Sequence, residues 1–273
     1  MSSENKYRQK WLKYHKSYEK RAYKLLRGVF KKWNETIINT QIDENLYKAQ
    51  ITMAISDTDM YKAYYDIYYH IGKIHGKRVG KSINDELQKD FTLIDFMRIF
   101  EQELPYFLRN YAIQRIQLVH QSYLNVIFEM FNDRLKEGKT LKETTEEIYK
   151  VMQSPRFYKW EAERIARTET TSAANYAAIK AGKNVGYVVE KQWISGSDAR
   201  VRRKPKAHFD HFEMNGKKVG VNEMFVFNEN TLDADMLEYA GDVRGKAGNV
   251  INCRCTVAIV PKRDKNGRLI RLN

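Results

Sequence analysis

The stretch Asn175-Tyr-Ala-Ala-Ile-Lys-Ala-Gly-Lys-Asn-Val-Gly-Tyr-Val-Val-Glu-Lys-Gln-Trp-Ile194 changes character in its middle. Its first part closes a helical pattern that runs from about Tyr158 to Ala181, and Gly182 is placed to end that helix as a C′ residue. Its second part, Tyr187 to Ile194, is rich in β-branched and aromatic residues and predicts a strand. Glycine marks the same border. Five of the 14 glycines precede residue 181 and nine follow it, and glycine breaks helices and serves turns.

Upstream of the border the pattern is helical. Thr140-Leu-Lys-Glu143 reads as a capping box opening a helix that carries Ile148, Val151 and Met152. The run from Phe91 to Leu135 is apolar at helical spacing, with a break expected near Pro105 and an end at Gly138. Tyr47–Ser82 places Gly72, Gly76 and Gly80 four residues apart, a face that suits close helix contact. At the N-terminus, Tyr7, Trp11, Tyr14, Tyr18, Ala22, Leu25 and Val29 make an aromatic-rich stripe. Lys6, Lys10, Lys13, Lys16, Lys20, Lys24 and Lys31 cover the rest of that helix. Downstream, Lys218–Val221, Met224–Phe227 and Val250–Val260 predict further strands between polar loops. The expected fold is α+β: residues 1–34 a basic amphipathic helix or arm, 35–157 a helical domain, and 158–273 a helix followed by a small β-rich fold.

The 273 residues include 42% hydrophobic side chains, enough for a real core, and carry a formal charge of +14. That charge is uneven: +9 over residues 1–34, zero over 35–185 and +5 over 186–273. A balance of this kind favours an anionic partner, either a nucleic-acid backbone or an acidic protein surface. No apolar run reaches the roughly 18 residues of a membrane span, and the start lacks the apolar core of a signal peptide. The expectation is a protein made in a cytoplasm, with no membrane partner. Two cysteines one residue apart, Cys253 and Cys255, make no disulfide framework.

Phosphate loops, dinucleotide glycines and nucleophile elbows are absent from the sequence. Arg167 and Glu169 stand two apart on one helix and so point different ways, which predicts a salt-bridge role for Glu169 rather than a catalytic one. Asp198 with Arg200 and Arg202 reads as a loop salt-bridge network or a binding patch, and Trp193 as a core anchor. His208-Phe-Asp-His211 with Cys253-Arg-Cys255 offers thiol and imidazole groups, the usual ligands of a structural zinc. The same cysteines on one strand face would equally well pack as small apolar side chains. Both readings stand at this point.

Five segments then occur in order: Arg164-Ile-Ala-Arg-Thr-Glu-Thr-Thr-Ser-Ala-Ala-Asn-Tyr-Ala177, Lys191-Gln-Trp-Ile194, Asp198-Ala-Arg-Val-Arg202, His211-Phe-Glu-Met-Asn-Gly216 and Asn249-Val-Ile-Asn-Cys-Arg-Cys255. The set resembles the minor head (head morphogenesis) protein family of tailed phages, typified by protein F of phage Mu. The resemblance covers about residues 140–260, and its motif positions here are Arg167, Glu169, Trp193, Asp198, Arg202, His211, Gly216, Asn252, Cys253 and Cys255. Extra residues between Arg202 and His211 lengthen one loop and leave His208 outside the motif. Near Glu223-Met-Phe225 a proline of the family pattern is missing, and Asp233 or Asp235 takes its acidic position.

The resemblance implies a low-copy virion component at or near the portal vertex, assembled in the host cytoplasm and acting in head morphogenesis and DNA packaging or ejection. Its partners would be the portal protein, the major capsid protein, or both, with packaged DNA in reach of Lys6, Lys10, Lys13, Lys16, Lys20 and Lys24. Relatives in bacterial toxins carry a toxin domain after the same module. Here the chain ends about thirteen residues past the last expected strand, so no enzyme and no cofactor is expected beyond a structural zinc. The rival readings are a nucleic-acid-binding protein acting through its basic helix and, third, a metal-dependent enzyme using His211, Cys253 and Cys255.

Overall fold

The computed structural model describes residues 3–43, 45–87 and 93–271; Phe91, named above, lies outside them. Seven long or medium helices come first: α1 (Ser3–Ile38), α2 (Tyr47–Ala54), α3 (Asp57–Leu87), α4 (Leu93–Phe107), α5 (Ile113–Lys136), α6 (Leu141–Gln153) and α7 (Lys159–Lys183). The final third holds β1 (Val189–Ile194), β2 (Lys218–Gly220), β3 (Phe225–Phe227), β4 (Asp235–Leu237), the short α8 (Ala247–Val250) and β5 (Thr256–Pro261). Strands β2, β1 and β5 form one antiparallel sheet with β1 in the middle, and β3 and β4 form a separate hairpin. The class is α+β, as the sequence predicts.

Helix α7 is the pillar of the molecule. Every residue from Thr168 to Ile179 is buried, more than three turns with no solvent face. Such burial suits this sequence because Ala173, Ala174, Ala177 and Ala178 are small enough for neighbours to approach from all sides. Helices α1, α3 and α4 and strands β1 and β5 pack around it. One continuous core therefore joins Trp11, Phe30 and Trp33 of α1 with Tyr68 of α3 and Val257 of β5. The boundaries expected at residues 34 and 157 separate no cores, and α1 runs on to Ile38.

Several local expectations change in the structure. Gly182 does not cap α7, which continues to Lys183. A Cβ there would lie 2.9 Å from Ile259 Cγ2, so this glycine lets β5 approach the helix. Helix α4 runs through Pro105 and widens into a π-helical turn over Leu108–Ala112, a common response to an interrupted hydrogen-bond ladder. The strand expected from Val250 begins only at Thr256, because α8 and a turn take up its first residues. The Thr140/Glu143 capping box is present with both reciprocal hydrogen bonds.

Gly72 and Gly76 receive the rings of Phe100 and Phe96. A Cβ on Gly76 would lie 2.1 Å from the tip of Phe96, and one on Gly72 would lie 2.2 Å from Phe100. These contacts bring α3 and α4 together. Gly76→Ala is expected to destabilise the protein by about 2 kcal/mol through overpacking. Shortening the ring in a Phe96→Leu background should recover much of that loss, a double-mutant cycle readable in urea unfolding. Equal effects in both backgrounds would show that the ring is not the cause.

Candidate functional site

Two regions hold the residues singled out by the sequence. The first is the outer face of α1. At 100° per residue, Trp11, His15, Tyr18, Ala22, Leu26 and Trp33 share one face and are buried. Lys6, Lys10, Lys13, Lys20 and Lys24 fall on the opposite face, with Lys16 beside them, and all six are exposed. None of the six is paired with a carboxylate among the described residues. The helix is held rigidly from beneath: Trp11 Nε1 donates to the Arg254 carbonyl at 2.8 Å, and Tyr7 Oη donates to the Val257 carbonyl at 3.0 Å. It is therefore a fixed element of the fold and no detached arm.

The second region is where the five motif segments meet, around the middle of α7. Asn175 organises it. Its buried amide Nδ2 donates to the carbonyls of Thr171, Ala240 and Cys255, and its Oδ1 accepts from the Thr256 hydroxyl at 2.8 Å and the Val257 amide at 3.0 Å. The Thr171 hydroxyl donates to the Cys253 carbonyl and lies 2.8 Å from His15 Nε2. Asn252 sits at φ 60°, in the left-handed region, where its amide donates to Thr168 Oγ1 and its side-chain oxygen accepts from Arg167. Arg167 also pairs with Glu19 of α1 at 2.9 Å. The motif thus ties the central helix, the first helix and the approach to β5 into one node.

His211, Cys253 and Cys255 converge at that node. His211 Nδ1 lies 3.5 Å from each sulfur, and the three are almost wholly buried. The far nitrogen, Nε2, lies 2.6 Å from Asn249 Oδ1. Asn249 Nδ2 in turn donates to the Asp235 carboxylate at 2.8 Å. That orientation makes Oδ1 an acceptor, so His211 carries its proton on Nε2 and turns the Nδ1 lone pair toward the sulfurs. Trp193 is fully buried beside the imidazole, with ring centroids 5.4 Å apart, and Phe225 and Phe227 pack around the indole. His208 does not join the cluster; it is exposed and lies 3.6 Å from Asp233.

The remaining motif residues shape loops. Gly216, at φ +84°, sits in a turn whose amide donates to the Trp193 carbonyl at 2.8 Å. The Arg202 carbonyl accepts from the amide of His211, and its guanidinium donates to the Ile251 carbonyl. Asp198 takes Arg254 as its close partner, at 2.7 Å, with Arg200 at 3.8 Å. The network expected around Asp198 thus forms with Arg254 in the place of Arg202.

Glu169 finds its partners away from its own helix. It accepts from Tyr68 of α3 at 2.8 Å and from Arg115 of α5 at 3.2 Å. Burial first, and then the Glu169 charge, push the Tyr68 phenol well above its ordinary pKa, so Tyr68 stays a donor. This ion pair forms a wall of a cleft of about 690 Å³ that Tyr64, Arg164, Thr168 and Arg244 also line. The carboxylate thus accepts from both partners, one oxygen each.

Two important residues escape sequence reasoning. Asn175 is one: the helix around it has no charged residue from Thr170 to Ile179, and that gap is the signal of all-round burial. Lys191 is the other. It shares the inner face of β1 with Val189 and Trp193, is buried, and donates to the Glu238 carbonyl at 2.7 Å. Burial pulls its pKa down to about 8. A lysine at an inward strand position was the available clue.

The node, its sheet and its buried His–Cys–Cys cluster define an α+β module wrapped around one helix. Residues 125–258 match the family described as Phage Mu protein F like protein, which supports the family resemblance over this segment. The match supports a phage head-morphogenesis protein. The chain is also 30% identical over 147 residues to the NAD(+)--arginine ADP-ribosyltransferase EFV of Enterococcus faecalis (strain ATCC 700802 / V583). That similarity covers 52% of this chain and 26% of the enzyme, so the chain spans about a quarter of that relative's length. No solved structure matches. No helix among the described residues is long and apolar enough to cross a membrane.

Proposed function

We propose that the protein is a minor head protein that docks at the portal vertex through the lysine face of α1 and acts without catalysis in head assembly and DNA packaging or ejection. The observation that carries this reading is the arrangement of Lys6, Lys10, Lys13, Lys16, Lys20 and Lys24. Six exposed cations, unpaired among the described residues, stand along a helix about 54 Å long whose other face is locked in the core. A rigid cationic strip of this kind suits an acidic protein rim. Each contact is worth little and salt screens it, so the strip works through summed charge.

The test leaves the core untouched. Deleting residues 1–34 would remove Trp11, Leu26 and Trp33 from the interior and would report on folding alone. Reversing the six lysines to glutamate should instead abolish co-sedimentation with portal assemblies, while each single reversal changes stability by no more than about 0.5 kcal/mol. Retained co-sedimentation would reject the docking face. Tight binding to random duplex DNA with a steep salt slope, lost in the same variant, would favour the nucleic-acid reading over the portal. Turnover of NAD+ by the parent chain would overturn the non-catalytic part.

A further inference from the structure

We propose that His211 Nδ1 and the sulfurs of Cys253 and Cys255 bind a structural zinc(II) ion. Four independent features of the site point to it. The first is distance. Zinc bonds of about 2.3 Å to sulfur and 2.05 Å to nitrogen at the tetrahedral angle put N and S about 3.5 Å apart, and both N···S separations are 3.5 Å. All three ligand atoms lie within 4.8 Å of one another.

The second is orientation. A zinc-bound histidine usually donates its other ring N–H to a carbonyl or carboxylate, which fixes the tautomer. The chain from His211 Nε2 through Asn249 to Asp235 does this, and packing alone would not require a buried carboxylate behind the imidazole. The third is the treatment of the sulfurs: the Cys255 amide points at Cys253 Sγ at 3.4 Å, the kind of donor that supports a thiolate. The fourth is charge. Two thiolates and a neutral imidazole cancel the charge of a dication, so the complex is neutral and can sit where these side chains are at most 3% exposed.

Binding transfers the two thiol protons to solvent, leaves the Nε2 proton in place, and forms one Zn–N and two Zn–S bonds. Three protein ligands leave the fourth position of the tetrahedron to a group outside the cluster. The ion would staple the loop carrying His211 to the segment before β5, some forty residues away, in a module whose β2, β3 and β4 have only three residues each. Elements so short supply little stability of their own, and a metal closing that loop supplies it directly.

The full-length chain, purified without chelator, is expected to carry about one zinc per chain by elemental analysis. Cobalt(II) in its place should show thiolate-to-metal charge-transfer absorption. Cys253→Ser and Cys255→Ser should lose the metal. Because these variants also disturb the core, two others complete the test: His211→Cys keeps a ligand and should retain zinc, and Asn249→Ala should weaken zinc about tenfold or more by freeing the imidazole. A chelator should lower the thermal midpoint of the parent protein, and added zinc should restore it. Metal-free parent protein with two titratable thiols and a midpoint indifferent to zinc and chelator would overturn the proposal. So would stoichiometric copper in place of zinc.

Discussion

Acidifying the protein from pH 6.5 to pH 4.5 should cost it on the order of 4 kcal/mol of stability, because two buried histidines must stay neutral in the fold. His15 is pushed down to about 3, first by burial and then by the charges of Arg254 and Arg167. His75 is pushed down to about 3 by burial and then by Arg78. Glu19 lies 3.6 Å from His15 Nδ1, but it is already held by Arg167. The direction follows from proton counting. Both pKa values are depressed on folding, so between about 6.5 and 3 the unfolded chain binds more protons and stability is lost as the pH is lowered. Above 6.5 the full stability is present.

Urea unfolding at a series of pH values should show this slope, and His75→Leu should roughly halve it. Neither ring nitrogen of His75 has a hydrogen-bond partner among the described residues, so the same substitution should hold or raise stability at pH 7. A midpoint unchanged between pH 6.5 and 4.5 would mean that the two histidines are not held neutral by burial against Trp11.

Replacing Asn175 should be the most damaging single substitution at the node. Asn175→Ala removes a side-chain partner from the Ala240 and Cys255 carbonyls, the Thr256 hydroxyl and the Val257 amide in the interior, whereas the Thr171 carbonyl keeps its bond within α7. At about 1–3 kcal/mol for each buried group left unmade, and with some relaxation, a loss of about 4 kcal/mol is expected. Most domains have only about 5–15 kcal/mol to lose. Hydrogen exchange gives a local readout, since the Val257 amide should lose protection well before the α5–α6 region does. If Val257 stays protected and the loss is under about 1 kcal/mol, water or a neighbouring group has replaced the amide, and Asn175 is not the tie between α7 and β5.

The helical parts of this fold were readable because their information is local. The stripe of Trp11, Tyr18 and Ala22, the Thr140/Glu143 capping box and the glycine boundary at residue 138 each act within one or two turns of helix. The α+β class followed from the change of period after α7. The same locality explains the errors. Gly182 has the composition of a helix cap, and only Ile259, arriving from β5, shows that it is a contact glycine. The start of β5 was misplaced because the apolar run from Val250 does not reveal that its first residues fold into α8 and a turn.

The functional residues divide along the same line. Residue type and order alone specified a lysine face, two cysteines in Cys-Arg-Cys and a set of motif positions, since charge, thiol chemistry and helical period are properties of the chain. The fold alone decided that His211 Nδ1 comes within 3.5 Å of both sulfurs, that Glu169 pairs with α5 and α3, and that the basic helix is a structural wall. These facts depend on contacts between residues from 42 to 250 positions apart. Such contacts arise from the packing of all elements around α7, and no window of sequence encodes them.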